Sequence, residues 1–152
     1  MRCYVQTCLP IPAEAAWTAL KKPLTLVSVS QGFLTFVEAD QFPAQWQEGD
    51  VFQLRLALFG CVLSPWKHDL RITKVNEAER VICSKEQGGF YTWDHTMRVA
   101  ALAEGSCQYS DEIEIHAGLL TWPTWLYANV YYRYRHARWR KMAANLGATP
   151  AV

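Results

Sequence analysis

A chain of 152 residues with a formal charge of +1 gives no general reason to expect nucleic acid or an anionic membrane as its partner. Its length suits one domain over 1–152, large enough to bury about two-thirds of the surface the unfolded chain exposes. No apolar run reaches the roughly 18 residues of a membrane span, so stable insertion by a helix is not expected.

Seven tryptophans and seven tyrosines are many for this size, and such aromatics suit a big core or the wall of a ligand cavity. The five cysteines (Cys3, Cys8, Cys61, Cys83 and Cys107) lack CxxC spacing, and four sit in apolar strand-like contexts. Reduced, buried thiols are expected there, with no metal cluster and no cofactor. Met1-Arg2 leads straight into a strand-like run, broken by Pro10 and Pro12. That pattern is not a secretory leader, and the expected compartment is the cytoplasm.

Cys3 to Leu9 reads as a short strand. Pro12 suits the first turn of a helix over AEAAWTALKK, where Glu14 favours the N-terminal end and Trp17 and Leu20 share the buried side. Pro23 interrupts that helix, and a second short one from Pro23 to Gln31 stops at Gly32. The pattern from Gly32 to Gly49 is irregular: FLTFVEA has strand character, and Trp46 to Asp50 makes a tight turn. VFQLRLALFG is a clear strand with Phe52, Leu54, Leu56 and Leu58 on one face. A connection over Gly60 to Pro65 leads into WKHDLRITKV, a strand with Trp66, His68, Leu70 and Ile72 on one side. After a turn at Asn76 to Glu79, RVICSKEQ runs as a strand into Gly88-Gly89, a two-residue hairpin signal.

Gly88 to His116 then forms two alternating runs around a Glu104-Gly105 turn. The first puts Trp93, His95, Met97 and Val99 on one face; the second puts Cys107, Tyr109, Asp111, Ile113 and Ile115 together. Turning about Glu104 pairs residues whose numbers sum to roughly 208, so Asp111 faces Met97 and lies diagonal to His95. From Thr124, a natural N-cap, a helix runs to Gly147 and spans about 33 Å at 1.5 Å per residue. Trp125, Ala128, Tyr132, Trp139, Met142 and Leu146 recur on one face of it. Arg133, Arg135, Arg138, Arg140 and Lys141 form a basic stripe, read as a solvated side. The whole is α+β: a curved antiparallel sheet wrapped around a long C-terminal helix, with two short helices after the first strand.

This order of elements resembles the START-related helix-grip superfamily (SRPBCC), which includes polyketide cyclases and lipid-transfer domains. The residues that carry the resemblance are PIPAEAAWTAL at the start, WDHTMRV and SCQYSDEIEI as the penultimate hairpin, and YRYRHARWRKMAANLG at the end. It covers essentially the whole chain. It implies a helix-grip fold whose sheet and terminal helix enclose an elongated apolar cavity for a lipid, polyketide or aromatic compound. Binders, carriers and enzymes share that fold, so the site must decide between them.

His95 and Asp111 are the polar residues placed on apolar faces. A buried histidine beside a carboxylate has its ring oriented and its charged form favoured, which is how a general base is often built; the same pair also serves as pocket polarity or as a satisfied core pair. In the catalytic version, a cyclase or dehydratase uses His95 as base, Asp111 to orient it, and Tyr109 or Ser84 to polarise a carbonyl. Candidates for the ligand wall are Trp66 and His68, then Ser84 beside Trp93, then Tyr91, Trp93 and Met97. Tyr109 and Ile113 join them from the second run of the hairpin, and Tyr132 and Trp139 from the terminal helix. No HxH or HxxxH pair is present and His116 falls on the opposite face, so no metal site is expected. Phe59, Gly60, Leu63 and Pro65 make an apolar loop, a gate or membrane contact if exposed. The leading expectation is a monomer or weak homodimer that binds a hydrophobic small molecule for carriage or sensing, with no nucleic acid and at most transient membrane contact. A cyclase-type enzyme and an interaction module with a filled core are the alternatives.

Overall fold

A computed structural model describes residues 1–102 and 105–148, with side chains of the last helix up to Leu146. Strand β1 (Arg2–Leu9) is followed by helices α1 (Ala13–Leu20) and α2 (Pro23–Ser30). Strands β2 (Leu34–Phe36), β3 (Val51–Leu58), β4 (Val62–Asn76), β5 (Val81–Gly88), β6 (Tyr91–Ala101) and β7 (Cys107–His116) come next, and helix α3 (Thr121–Ala148) closes the chain. The seven strands form one antiparallel sheet in the order β1-β7-β6-β5-β4-β3-β2. The two helices after β1 therefore carry the chain from one edge of the sheet to the other. This is the α+β architecture expected from the sequence.

Local chemistry explains the short helices. Pro12 precedes α1, Glu14 lies in its first turn, and Ala13, Ala16, Trp17 and Leu20 form its buried side. Pro23 opens α2, at a position where a helix needs no backbone N–H. The Trp17 indole donates to Glu77 Oε2 at 2.6 Å, which ties α1 to the turn after β4.

Three features of the sheet differ from the sequence reading. FLTFVEA contributes only the three residues of β2, at the sheet edge. β4 begins at Val62, before Trp66, and so contains Pro65. The β3–β4 register shifts between Arg55 and Ala57, and pairing with β5 starts only at His68. Pro65 thus sits where its missing N–H costs no ladder hydrogen bond. At the β5–β6 hairpin Gly88 pairs with Tyr91, so the two-residue loop is Gly89-Phe90 rather than Gly88-Gly89. Gly89 takes a φ of +33°, and a Cβ there would lie 2.6 Å from the Trp66 ring. One consequence is that Ser84 pairs with His95, and Glu86 takes the place opposite Trp93 that was expected for Ser84.

The β6–β7 hairpin has the expected register: Met97 pairs with Asp111 and His95 with Ile113. Gly105, with a φ of +77°, lies in its turn; Glu104 is outside the described residues. The thiols divide. Cys3 and Cys107 are buried, but Cys8 and Cys61 are exposed. Cys8 falls on the outward phase of β1 and Cys61 in the β3–β4 turn, so neither reaches the core.

Helix α3 starts at Thr121, earlier than Thr124, and continues through Gly147 to Ala148. Pro123 is accommodated in its first turn, and Thr121 Oγ1 accepts from the Ala117 amide at 2.9 Å. At 28 residues it is roughly 42 Å long. It closes over the β1 edge: the Trp125 indole donates to the Arg2 carbonyl and Arg140 donates to Thr7 Oγ1, both at 2.8 Å. Its buried face is Ala128, Tyr131, Tyr132, Arg135, His136, Trp139 and Ala143. Leu146, expected on that face, is exposed, and Arg135, expected in the solvated stripe, is buried.

Candidate functional site

Between the sheet and α3 lies a cavity of about 440 Å³. Its sheet wall includes Leu56, Leu70, Ile72, Trp93 and Met97, and its helical wall includes Tyr127, Tyr131, Tyr132 and Trp139. Val62, Leu63, Trp66, Phe90 and Leu120 line it from segments that are exposed, and so mark its mouth.

Nine of the expected site residues border this cavity: Trp66, His68, Ser84, Tyr91, Trp93, His95, Met97, Tyr132 and Trp139. Tyr109, Asp111 and Ile113 do not; all three are fully buried. They lie on β7, next to the β1 edge where α3 packs down, and the rings of His136 and Trp139 cover Tyr109 at centroid distances of 5.0 and 5.1 Å. Tyr109 and Ile113 are therefore behind the wall rather than part of it.

Two linked polar clusters result. The inner one centres on Asp111, whose Oδ1 accepts from His95 Nε2 at 2.9 Å and from the Tyr109 hydroxyl at 2.7 Å. Its Oδ2 accepts from His136 Nε2 at 2.9 Å. Arg135 Nη2 stands 3.8 Å from Oδ1 and donates to the Tyr109 hydroxyl at 2.9 Å. Burial alone would push the Asp111 carboxyl up, but the Arg135 guanidinium and the two histidine hydrogen bonds hold it well below the usual carboxylate range. An ionised carboxylate only accepts, so His95 and His136 each carry a proton on Nε2.

The second cluster borders the cavity and centres on Glu86. Its Oε1 accepts from Ser84 Oγ at 3.0 Å and faces His95 Nδ1 at 3.5 Å. Its Oε2 lies 3.0 Å from His68 Nε2, and His68 Nδ1 is 2.9 Å from the Tyr91 hydroxyl. Burial opposes ionisation of Glu86 as well, and the hydrogen bonds from His68 and His95 overcome it, so the carboxyl is lowered far below its ordinary value. His95 is thus set between two carboxylates. Burial disfavours its charge, yet hydrogen bonds to Asp111 and Glu86 outweigh that and raise its pKa. A continuous polar chain runs from Tyr91 through His68, Glu86, His95 and Asp111 to His136.

Glu86, Arg135 and His136 were missed by the sequence reading, although each carried a signal. Glu86 shares the inward phase of β5 with Ser84 and Ile82. Arg135 and His136 fall three and four residues after Tyr132, and four and three before Trp139, inside the apolar stripe of α3.

No family model matches the sequence, and no curated protein does. Solved structures do resemble it. A protein of Chromobacterium violaceum superposes with a TM-score of 0.72 at 13% identity, covering 93% of this chain and 96% of its own. Norcoclaurine synthase from Thalictrum flavum, solved in complex with dopamine and hydroxybenzaldehyde, gives 0.66 at 14% identity, covering 99% and 89%. A START superfamily protein of Mycobacterium smegmatis gives 0.65 at 11% identity, covering 95% and 98%. At these identities the likeness concerns architecture: the chain has the START-like helix-grip fold that these proteins share.

Proposed function

We propose that this chain, as a single START-like domain, binds a hydrophobic small molecule in the cavity between sheet and α3, for carriage or sensing. The observation that carries this reading is the cavity itself. Its volume of about 440 Å³ is in the range of ligand sites, and aliphatic and aromatic side chains make most of its wall. A cavity of that size supports binding over an interaction module with a filled interior. The norcoclaurine synthase likeness, solved with two small aromatic molecules, supports an aromatic ligand among the hydrophobic classes.

The mouth supports exchange with an apolar phase. Val62, Leu63 and Trp66 on β4, Phe90 in the β5–β6 loop and Leu120 just before α3 line that mouth and are exposed. Such a ring of exposed apolar residues suits transient contact with a lipid surface while ligand enters. Among the described residues no helix is long and apolar enough to cross a membrane, so the contact is peripheral.

The catalytic alternative that uses His95 as base is the weaker one. Both ring nitrogens of His95 face carboxylates and its protonated form is favoured, which leaves no lone pair to accept a proton from a ligand.

The test is to fill the cavity from its wall. Leu70→Trp places an indole into the void; it is expected to weaken binding of N-phenyl-1-naphthylamine, followed by its fluorescence, at least tenfold. The thermal midpoint should change little, because the added volume goes into empty space. Unchanged affinity in a folded Leu70→Trp protein would place the probe elsewhere and remove the reading.

A further inference from the structure

On the reading that the cavity binds a hydrophobic molecule, we infer that this molecule carries a hydrogen-bond-donating hydroxyl or amine, presents it to Glu86, and is preferred over carboxylates such as fatty acids.

Exposure sets Glu86 apart from its neighbours. The Glu86 side chain is 18% accessible, whereas those of His68 and His95 beside it are 6% and 3% accessible. Of the three side chains, that of Glu86 is the most exposed, and it borders the cavity. An ionised carboxylate has about four lone-pair directions. Ser84, His95 and His68 take three of them, which leaves acceptor capacity for a donor arriving from the cavity.

The two histidines beside Glu86 offer no free donor, and the unpartnered buried N–H groups of the cavity wall, Arg135 Nε and Trp139 Nε1, belong to side chains only 2% and 1% exposed. The His68 ring spends one nitrogen on Glu86 and the other on Tyr91, and both His95 nitrogens face carboxylates. Arg135 borders the cavity but is only 2% exposed; its guanidinium packs over the Tyr132 ring at 5.5 Å and serves Asp111 and Tyr109. An incoming carboxylate would meet a like charge at Glu86 with no exposed cation to answer it, and two carboxylates in one poorly solvated site cannot both stay ionised cheaply. A hydroxyl pairs without that conflict, and an ammonium gains from the charge.

The walls beside Glu86 complete the match. Tyr91 and Trp93 are 6.0 Å apart, Trp93 and Tyr132 6.0 Å, and His95 and Tyr132 5.2 Å, measured between ring centroids. Aromatic faces close to a carboxylate accept either a flat apolar body or an ammonium group.

A matched ligand series tests this on the intact chain: 2-methylnaphthalene, 2-naphthol, 2-naphthylmethylamine and 2-naphthoate, titrated calorimetrically at pH 7. The naphthol or the amine should bind at least tenfold tighter than naphthoate and tighter than methylnaphthalene, and the better of the two identifies the donor class. Glu86→Gln should bring naphthoate to within threefold of that ligand. Naphthoate binding as tightly as both donors in the unaltered protein overturns the inference but leaves the cavity reading standing. Failure of all four to bind overturns the cavity reading, and this inference with it. A folded Glu86→Gln protein with an unchanged ranking removes Glu86 as the recognising group; should that variant not fold, the ranking in the unaltered protein decides alone.

Discussion

Replacing Asp111 with alanine is expected to cost the fold about 3–5 kcal/mol, the range for removing one partner of a buried charge pair. Asp111 is fully buried and is the shared anion for Arg135, His95 and His136, themselves no more than 3% exposed. Its removal strands a guanidinium charge and two imidazole N–H groups in the interior, and takes the acceptor from the Tyr109 hydroxyl, which keeps its bond from Arg135. A loss of that size is a large share of the roughly 5–15 kcal/mol that stabilises a domain. Urea titration of the purified variant measures it. Asp111→Ala combined with Arg135→Met removes the anion together with the cation it balances, and should recover part of the loss, since an apolar pair avoids the desolvation that an unpaired charge suffers. An Asp111→Ala protein within about 1 kcal/mol of the original would mean that the cluster is solvated and that Asp111 is not its anchor.

The contrast between what the chain announced and what it concealed has a physical basis. Alternation on both strands, with the turn placed at Glu104, set the β6–β7 register, because a slip of one residue would turn one strand's inward set away from the core and part His95 from Asp111. The long helix was equally legible, as was its place over the sheet. Ser84 was placed two residues out, opposite Trp93 rather than His95, because Gly88, Gly89 and Phe90 offer two two-residue loops; the observed one sets the Tyr91 ring over Gly88 and the Trp66 ring against Gly89. The Trp66 contact spans 23 residues of sequence and leaves no local pattern.

Arg135 and His136 were hidden for a different reason. A charged residue inside an apolar stripe reads as solvated unless its partner is known, and the partner here lies on a strand more than twenty residues away. Had Asp111 been treated as a buried anion needing cations, the α3 face centred on Tyr132 and Trp139 would have been the place to look. Glu86 follows the same logic: alternation turned it inward with Ser84, and only the presence of His68 and His95 makes that position tolerable for a carboxylate.

The same charges predict the pH dependence of stability. Asp111 and Glu86 have pKa values lowered by folding, so each stabilises the native state above its unfolded value, about 3.9 for Asp and 4.3 for Glu, and loses that contribution as pH falls through the folded value. His95 has the opposite sign. Its pKa is raised by folding, so its contribution is complete below about 6.5 and disappears as pH rises through the folded value. Unfolding free energy should therefore be highest between about pH 5 and 6.5 and fall on both sides. The acid limb should be the steeper, approaching about 1.4 kcal/mol per pH unit for each of Asp111 and Glu86, because these titrate there together with Glu38 and Glu77, whose pKa values folding also lowers. Urea unfolding followed from pH 3 to pH 9 reads both limbs. Glu86→Gln should make the acid slope clearly shallower and, by taking one carboxylate from His95, should flatten the alkaline limb as well. Equal acid slopes in the two proteins would show that Glu86 exchanges its proton with solvent in the native state as freely as in the unfolded chain, and its place in the polar chain from Tyr91 to His136 would be lost.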